Sequence, residues 1–205
     1  MLPVTILSIA MAPFLLPAIP SGTDTFKHLL VSRVLADYHE PAFNYGRDFE
    51  VLWKPLPTVL GDLILAGFLR VAGPPMAAKL YLIAFAAGFW LSGRYLLRTL
   101  GLPGHAAVLL FPILHSFFVF SAFLPFLGTI AVFPLIPGVL IGVRRGPRRF
   151  LLLTLLPIVL YGFHPVGVVI GCFTVCIYAL DTVRRQVHWD DVAALVPASM
   201  LFLYY

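Results

Sequence analysis

The first charged side chain of the chain is Asp24, in the stretch "SGTDTFKH", after an opening run with no charge. His28 follows four residues later, so on a helix the carboxylate and the imidazole share a face. An Asp-x-x-x-His pair of this kind can orient an imidazole for proton transfer, or offer two ligands to a divalent ion. A carboxylate partly withdrawn from water also gains basicity, which suits a general base. Asp24 reads as well as the cap of a helix beginning at Thr25, and the two roles are compatible. An ordinary surface histidine is the plain alternative for His28.

Other candidates are more loosely specified. Asp48 and Glu50 flank Phe49, and in an extended segment both carboxylates point the same way, toward one Mg or Mn ion or one hydroxyl. Arg47, Lys54, Arg70 and Lys79 are cations able to hold a phosphate, with lipid headgroup contact as the plain alternative. His164, directly before Pro165, falls at a helix-breaking turn, where it either meets a phosphate or makes a local hydrogen bond. His115 lies in an apolar run and is expected to bond to a neighbouring helix. Cys172 and Cys176, one helical turn apart, read as packing residues. The chain has no P-loop, no dinucleotide fingerprint, no G-x-S-x-G and no Cys/His metal spacing.

The elements that must position these residues are apolar. The chain has 205 residues, of which 60% are hydrophobic and 11% charged, with a mean hydropathy of +0.97. Soluble domains carry about 25% charged residues, so most of these side chains have lipid as their solvent. The apolar runs are continuous, unlike the alternating segments of a membrane β-barrel. The expected fold is all-α: one polytopic transmembrane bundle of about seven spans over residues 1–205, in a bacterial or archaeal plasma membrane. Basic residues fall in short clusters between the runs, which marks orientation and not nucleic-acid binding.

Residues 2–20 form a first span, kinked by Pro13 and Pro17. A polar stretch with Trp53, Tyr38 and Tyr45 follows, then an apolar segment at 57–73 that contains Asp62 and Arg70. Residues 76–97 make a clear span. Residues 105–143 are long enough for two spans, hinged near 121–125, and 150–180 for two short ones broken at His164-Pro165. The run from 192 to 205 is shorter than a full span, so the chain is expected to continue past a truncated C-terminus.

Arg94 with Arg98, the cluster "RRGPRR" at 144–149, and Arg184 with Arg185 all belong in the cytoplasm by the positive-inside tendency. Helical spacing in 57–73 puts Leu60, Leu63, Ile64, Gly67, Phe68 and Val71 on one face, with Thr58 and Asp62 on another, which favours a helix lying on the surface over one that crosses. Residues 21–75 then form an extracytoplasmic loop holding six of the nine acidic residues.

This order of parts resembles the N-terminal portion of the GT-C membrane glycosyltransferases, the class of protein O-mannosyltransferases and aminoarabinose transferases. The likeness lies in a first helix, a long loop opening on an acidic residue, a "W-x-P-x-P" approach at 53–57, and "AAKLYLIAFAAGFWLSGRYLLRTLG" at 77–101. The resemblance implies sugar transfer from a polyprenyl-phosphate-linked donor at the extracytoplasmic face, with membrane lipid around the site. It makes Asp24 the catalytic base or a metal-associated carboxylate, and Lys79 the counterpart of an arginine after the surface helix. Asp48 and Glu50 have no counterpart there, and the lone Asp24 departs from families with two adjacent acidic residues. A transporter, a lipid-handling protein or a structural subunit that docks a membrane-protein partner is the alternative.

Overall fold

The computed structural model describes residues 24–52, 54–115, 124–181 and 186–204, with Thr5, Ile6, Ile9, Ala12 and Leu16. The predicted first span and Trp53 lie largely outside the described residues. Helix α1 is Thr25–Ala36, α2 is Val59–Leu69 and α3 is Pro74–Thr99. Helices α4 (Leu124–Val132) and α5 (Leu135–Gly142) follow, then α6 (Pro147–Phe163), α7 (Pro165–Ala179), α8 (Trp189–Ala193) and α9 (Val196–Tyr204). Tyr45–Arg47 and Gly104–His115 are 3-10 turns, and Leu180–Asp181 (β1) pairs antiparallel with Gln186–Val187 (β2). The fold class is all-α, as the composition predicts.

Local chemistry sets several helix ends. Pro74, Pro147 and Pro165 open α3, α6 and α7, where a fixed φ helps and the missing N–H costs nothing. Gly101, at φ +74, ends α3 in the left-handed conformation that glycine adopts without strain.

The core has two parts. In the first, α3 presents Ala77, Tyr81, Phe85 and Phe89, a stripe at helical spacing, to Leu29 of α1, Leu65 and Leu69 of α2, and Leu124 and Leu127 of α4. In the second, Ile136 and Leu140 of α5 meet Leu153 and Leu160 of α6, Val168 and Val175 of α7, and Ala198 of α9. The parts join where α4 crosses α6. Any side chain at Gly128 would overlap the Phe163 ring, so the small residue permits that approach.

Helices α6 and α7 form a pair broken at His164-Pro165, as the sequence predicts. The opposite end of the pair is fixed by a buried ion pair. Arg149 donates Nε to Asp191 Oδ1 at 2.9 Å and NH2 to Oδ2 at 2.5 Å, and NH1 to the Leu140 carbonyl at 2.9 Å.

Two stretches, Pro74–Thr99 and Leu124–Gly142, are long and apolar enough to cross a membrane, while Val59–Leu69 and Pro165–Ala179 are apolar but shorter. The hairpin expected over 105–143 differs in its first half. Gly104–His115 is 3-10 and contains Pro112, which cannot donate to an α-helical ladder. Most of the predicted hinge, and the His115 side chain, lie outside the described residues. The surface-helix segment is α2, but its inward face carries Gly61, Asp62, Leu65, Ala66 and Leu69. Leu63 and Val71 are exposed, and Asp62 is buried and not turned to water as the amphipathic reading expects.

Candidate functional site

Helices α1 and α2 lie against one another through stripes that mix polar and apolar residues. The inward face of α1 holds Thr25, His28, Leu29 and Ser32; that of α2 holds Asp62 with Leu65, Ala66 and Leu69. This packing sets His28 Nδ1 2.7 Å from Asp62 Oδ1, with each residue only 7% exposed. Where Asp62 is ionised its carboxylate only accepts, so that Nδ1 is the donor and Nε2 the nitrogen left to act on another molecule. The carboxylate that orients His28 is therefore Asp62, thirty-four residues away, and not Asp24.

Asp24 precedes α1 at the N-cap position, yet its side chain makes no capping hydrogen bond. Its carboxylate instead lines a cavity of about 300 Å³ together with Lys27, His28, Thr58, Asp62 and His164, walled by Val31, Pro125 and Phe126. Four parts of the fold meet there: α1, the start of α2, the start of α4 and the α6–α7 turn. The wall at Pro125 is steadied from α3, since Tyr81 donates its hydroxyl to the Leu124 carbonyl at 2.8 Å.

Part of the cavity lining is strained backbone. Thr58 has φ 75 and ψ −15, a left-handed conformation that is rare for a β-branched residue and costs on the order of 1–3 kcal/mol. Its carbonyl accepts the Gly61 and Asp62 amides, at 3.1 and 3.4 Å, so the strained residue starts the helix that carries Asp62. The segment leading to it is tied to α6, where the Tyr161 hydroxyl donates to the Pro55 carbonyl at 2.7 Å.

His164 reaches the cavity from the α6–α7 turn. Its Nδ1 accepts the Val166 amide at 3.3 Å, capping α7, and its ring stands edge-on to Phe126 with centroids 5.3 Å apart. Partial burial pushes its imidazole below the usual range, favouring the neutral form. The cavity therefore holds two carboxylates, one ammonium and two imidazoles in a space that fits a small polar group.

Of the sequence-predicted residues, Asp24, His28 and His164 come together here. The four predicted phosphate-binding cations do not line this cavity; its cation is Lys27. Arg47 is exposed, 4.0 Å from Asp48. Lys54 and Arg70 line a separate, mainly apolar groove of about 650 Å³ between α1, α2 and the loop residues Val51 and Leu52. Arg70 also donates to the Ala36 carbonyl at 3.4 Å. Lys79 is half-buried on α3. Asp48 and Glu50 are exposed loop residues. Among the described residues no three His, Cys, Asp or Glu side chains converge, and Asp48 and Glu50 lie apart from the cavity.

Sequence reasoning missed Asp62, Lys27 and Thr58 as site residues. One signal was present for Asp62. With Leu65, Ala66 and Leu69 it occupies the i, i+3, i+4, i+7 positions of a single stripe, which places a carboxylate on the face that packs. No protein-family model, curated protein or solved structure matches the chain, so what the cavity does rests on its own geometry.

Proposed function

We propose that this chain is a multi-pass membrane glycosyltransferase, moving a sugar from a polyprenyl-phosphate-linked donor to an acceptor hydroxyl at the extracytoplasmic face. The observation that carries this reading is the cavity joining Asp24, Lys27, His28, Asp62 and His164 at one end of an apolar bundle. Proton acceptors beside a cation suit a reaction that deprotonates a hydroxyl and releases a phosphate. Lys27 would hold the leaving phosphate, and Asp24 the sugar hydroxyls at the rim.

The membrane part of the reading is supported by what the helices expose. Helix α7 turns Val166, Val169, Ile170, Phe173 and Ile177 outward, all at least 43% exposed, and α3 does the same with Ile83 and Leu91. Contiguous apolar surface of this kind is costly in water and natural in lipid. With α3, α4–α5, α6 and α7 crossing, the arginines of 144–149 face the cytoplasm and the cavity faces out. The span count of about seven belongs to this proposal.

The test is transfer itself. Membranes bearing the wild-type chain should move labelled sugar from a polyprenyl-phosphate hexose to endogenous acceptor, and an Asp24→Asn, His28→Gln double variant of equal abundance should not. Incorporation no greater than in membranes without the protein would remove the reading. A lipid-handling protein without catalysis is the second reading, favoured by the apolar groove that runs beside α2. Donor binding without turnover would select it.

A further inference from the structure

The cavity contains two carboxylates that sequence spacing cannot tell apart in role. Asp24 is half-buried and has no side-chain capping bond. Asp62 is 7% exposed and bonded to His28 at 2.7 Å. An imidazole with its Nδ1–H given to a carboxylate is held in one tautomer and one orientation, and its developing positive charge is stabilised as Nε2 takes up a proton. Asp24, half-buried and not the carboxylate bonded to His28, has neither that geometry nor that degree of shielding from water.

We infer that His28 is the proton acceptor of this site through Nε2, and that Asp62 is the positioning residue that holds it so, with Asp24 outside the proton transfer. The inference rests on the glycosyl-transfer reading for the substrate class: an acceptor hydroxyl and a lipid-phosphate-linked sugar. In that step the hydroxyl oxygen bonds to the anomeric carbon as its proton passes to His28 Nε2. The bond from the anomeric carbon to the phosphate oxygen breaks, its electron pair leaving with the phosphate. The proton then returns to water or to the released phosphate, so nothing is oxidised or reduced. The Nδ1 of His164 is taken by the Val166 amide. Thr58 contributes a backbone contact at the start of α2, its carbonyl accepting the Asp62 amide at 3.4 Å.

Two measurements separate this assignment from the reading beneath it. Nitrogen-15 spectra of histidine-labelled protein in lipid nanodiscs report the His28 tautomer directly, the signal being identified by its loss in His28→Gln. The expected result is Nδ1–H in the wild type, converting largely to Nε2–H in Asp62→Asn and persisting in Asp24→Asn. Nε2–H in the wild type, or no response to Asp62→Asn, overturns the assignment whatever the activity. In transfer assays, His28→Gln should lower kcat by about a hundredfold or more, and Asp62→Asn by roughly ten- to a hundredfold, with KM little changed. Asp62→Glu, which keeps an acceptor, should recover part of that loss, showing that the Asn variant had not merely unfolded. Asp24→Asn should act mainly on KM. A wild-type kcat in His28→Gln overturns the proposal. No transfer by the wild-type protein removes the glycosyl-transfer step instead, and the tautomer result then judges the hold of Asp62 on His28 by itself.

Discussion

Arg149 and His164 close the two ends of α6, fifteen residues apart in the chain and about 22 Å apart along the helix axis. At one end Arg149 is locked to Asp191 with both residues buried; at the other His164 opens onto the polar cavity. One helix thus carries a fixed ion pair at the pole where basic residues cluster and an ionisable cavity at the opposite pole.

The ion pair makes the first prediction. Arg149 and Asp191 satisfy each other through two hydrogen bonds, and a third ties the guanidinium to α5. Removing either partner leaves a buried charge without compensation, at a cost of about 3–5 kcal/mol. Arg149→Ala and Asp191→Ala should therefore each unfold far more easily in detergent micelles. The paired replacement Arg149→Met with Asp191→Leu should recover most of the loss, because it removes both charges together. Single variants as stable as the wild type would show that the pair is open to water.

Topology is the second. In a background with Cys172 and Cys176 changed to serine, cysteine at Ala42 in the exposed loop after α1 should react with an impermeant thiol reagent in intact cells. Cysteine at Arg145, beside the ion pair, should label only after lysis. The reverse pattern would put the cavity in the cytoplasm, where a polyprenyl-linked donor facing outward cannot reach it.

Part of this arrangement is legible in the sequence. Asp24 and His28 share a helical face by spacing alone, and His164-Pro165 announces a break because proline cannot continue the preceding ladder. The pairing of His28 with Asp62 is not written locally. It depends on α1 and α2 meeting with two stripes in register, and an isolated Asp in an apolar segment reads as a polar face until that contact exists. The four cations part from the cavity for a related reason. Arg47, Lys54, Arg70 and Lys79 are near the cavity in sequence, but helix direction and the loop path carry them to other surfaces. Lys27, one residue before His28, borders the cavity as the last charge of the first turn of α1.

The third prediction concerns the approach to Thr58. Tyr161 reaches across the fold to the Pro55 carbonyl, the contact that ties residues 54–58 to α6. Tyr161→Phe removes that bond while keeping the ring, so stability should fall by about 1 kcal/mol. Proteolysis between residues 48 and 58 should also become faster, since the strained Thr58 turn loses its outer support. Unchanged cleavage would mean the loop is held by its apolar contacts alone.

The fourth turns on pH. Burial lowers the basicity of His164 in the folded protein, while in the unfolded chain its imidazole takes up a proton near the ordinary value of about 6.5. As pH falls through that value the unfolded state binds the proton first, so the unfolded state gains and stability declines. The decline ends once pH has passed the lowered folded value, below which both states are protonated. Protonation at Nδ1 also takes away the acceptor of the Val166 amide and uncaps α7. His164→Asn keeps a capping oxygen but cannot titrate, so its melting temperature should fall less than that of the wild type between pH 7 and the acid end of the window, on the order of pH 5. The other histidines contribute to both curves, and the difference between the curves isolates this one. Parallel curves would mean that His164 meets water freely in the folded protein, and that the cavity is open where its ring now stands against Phe126.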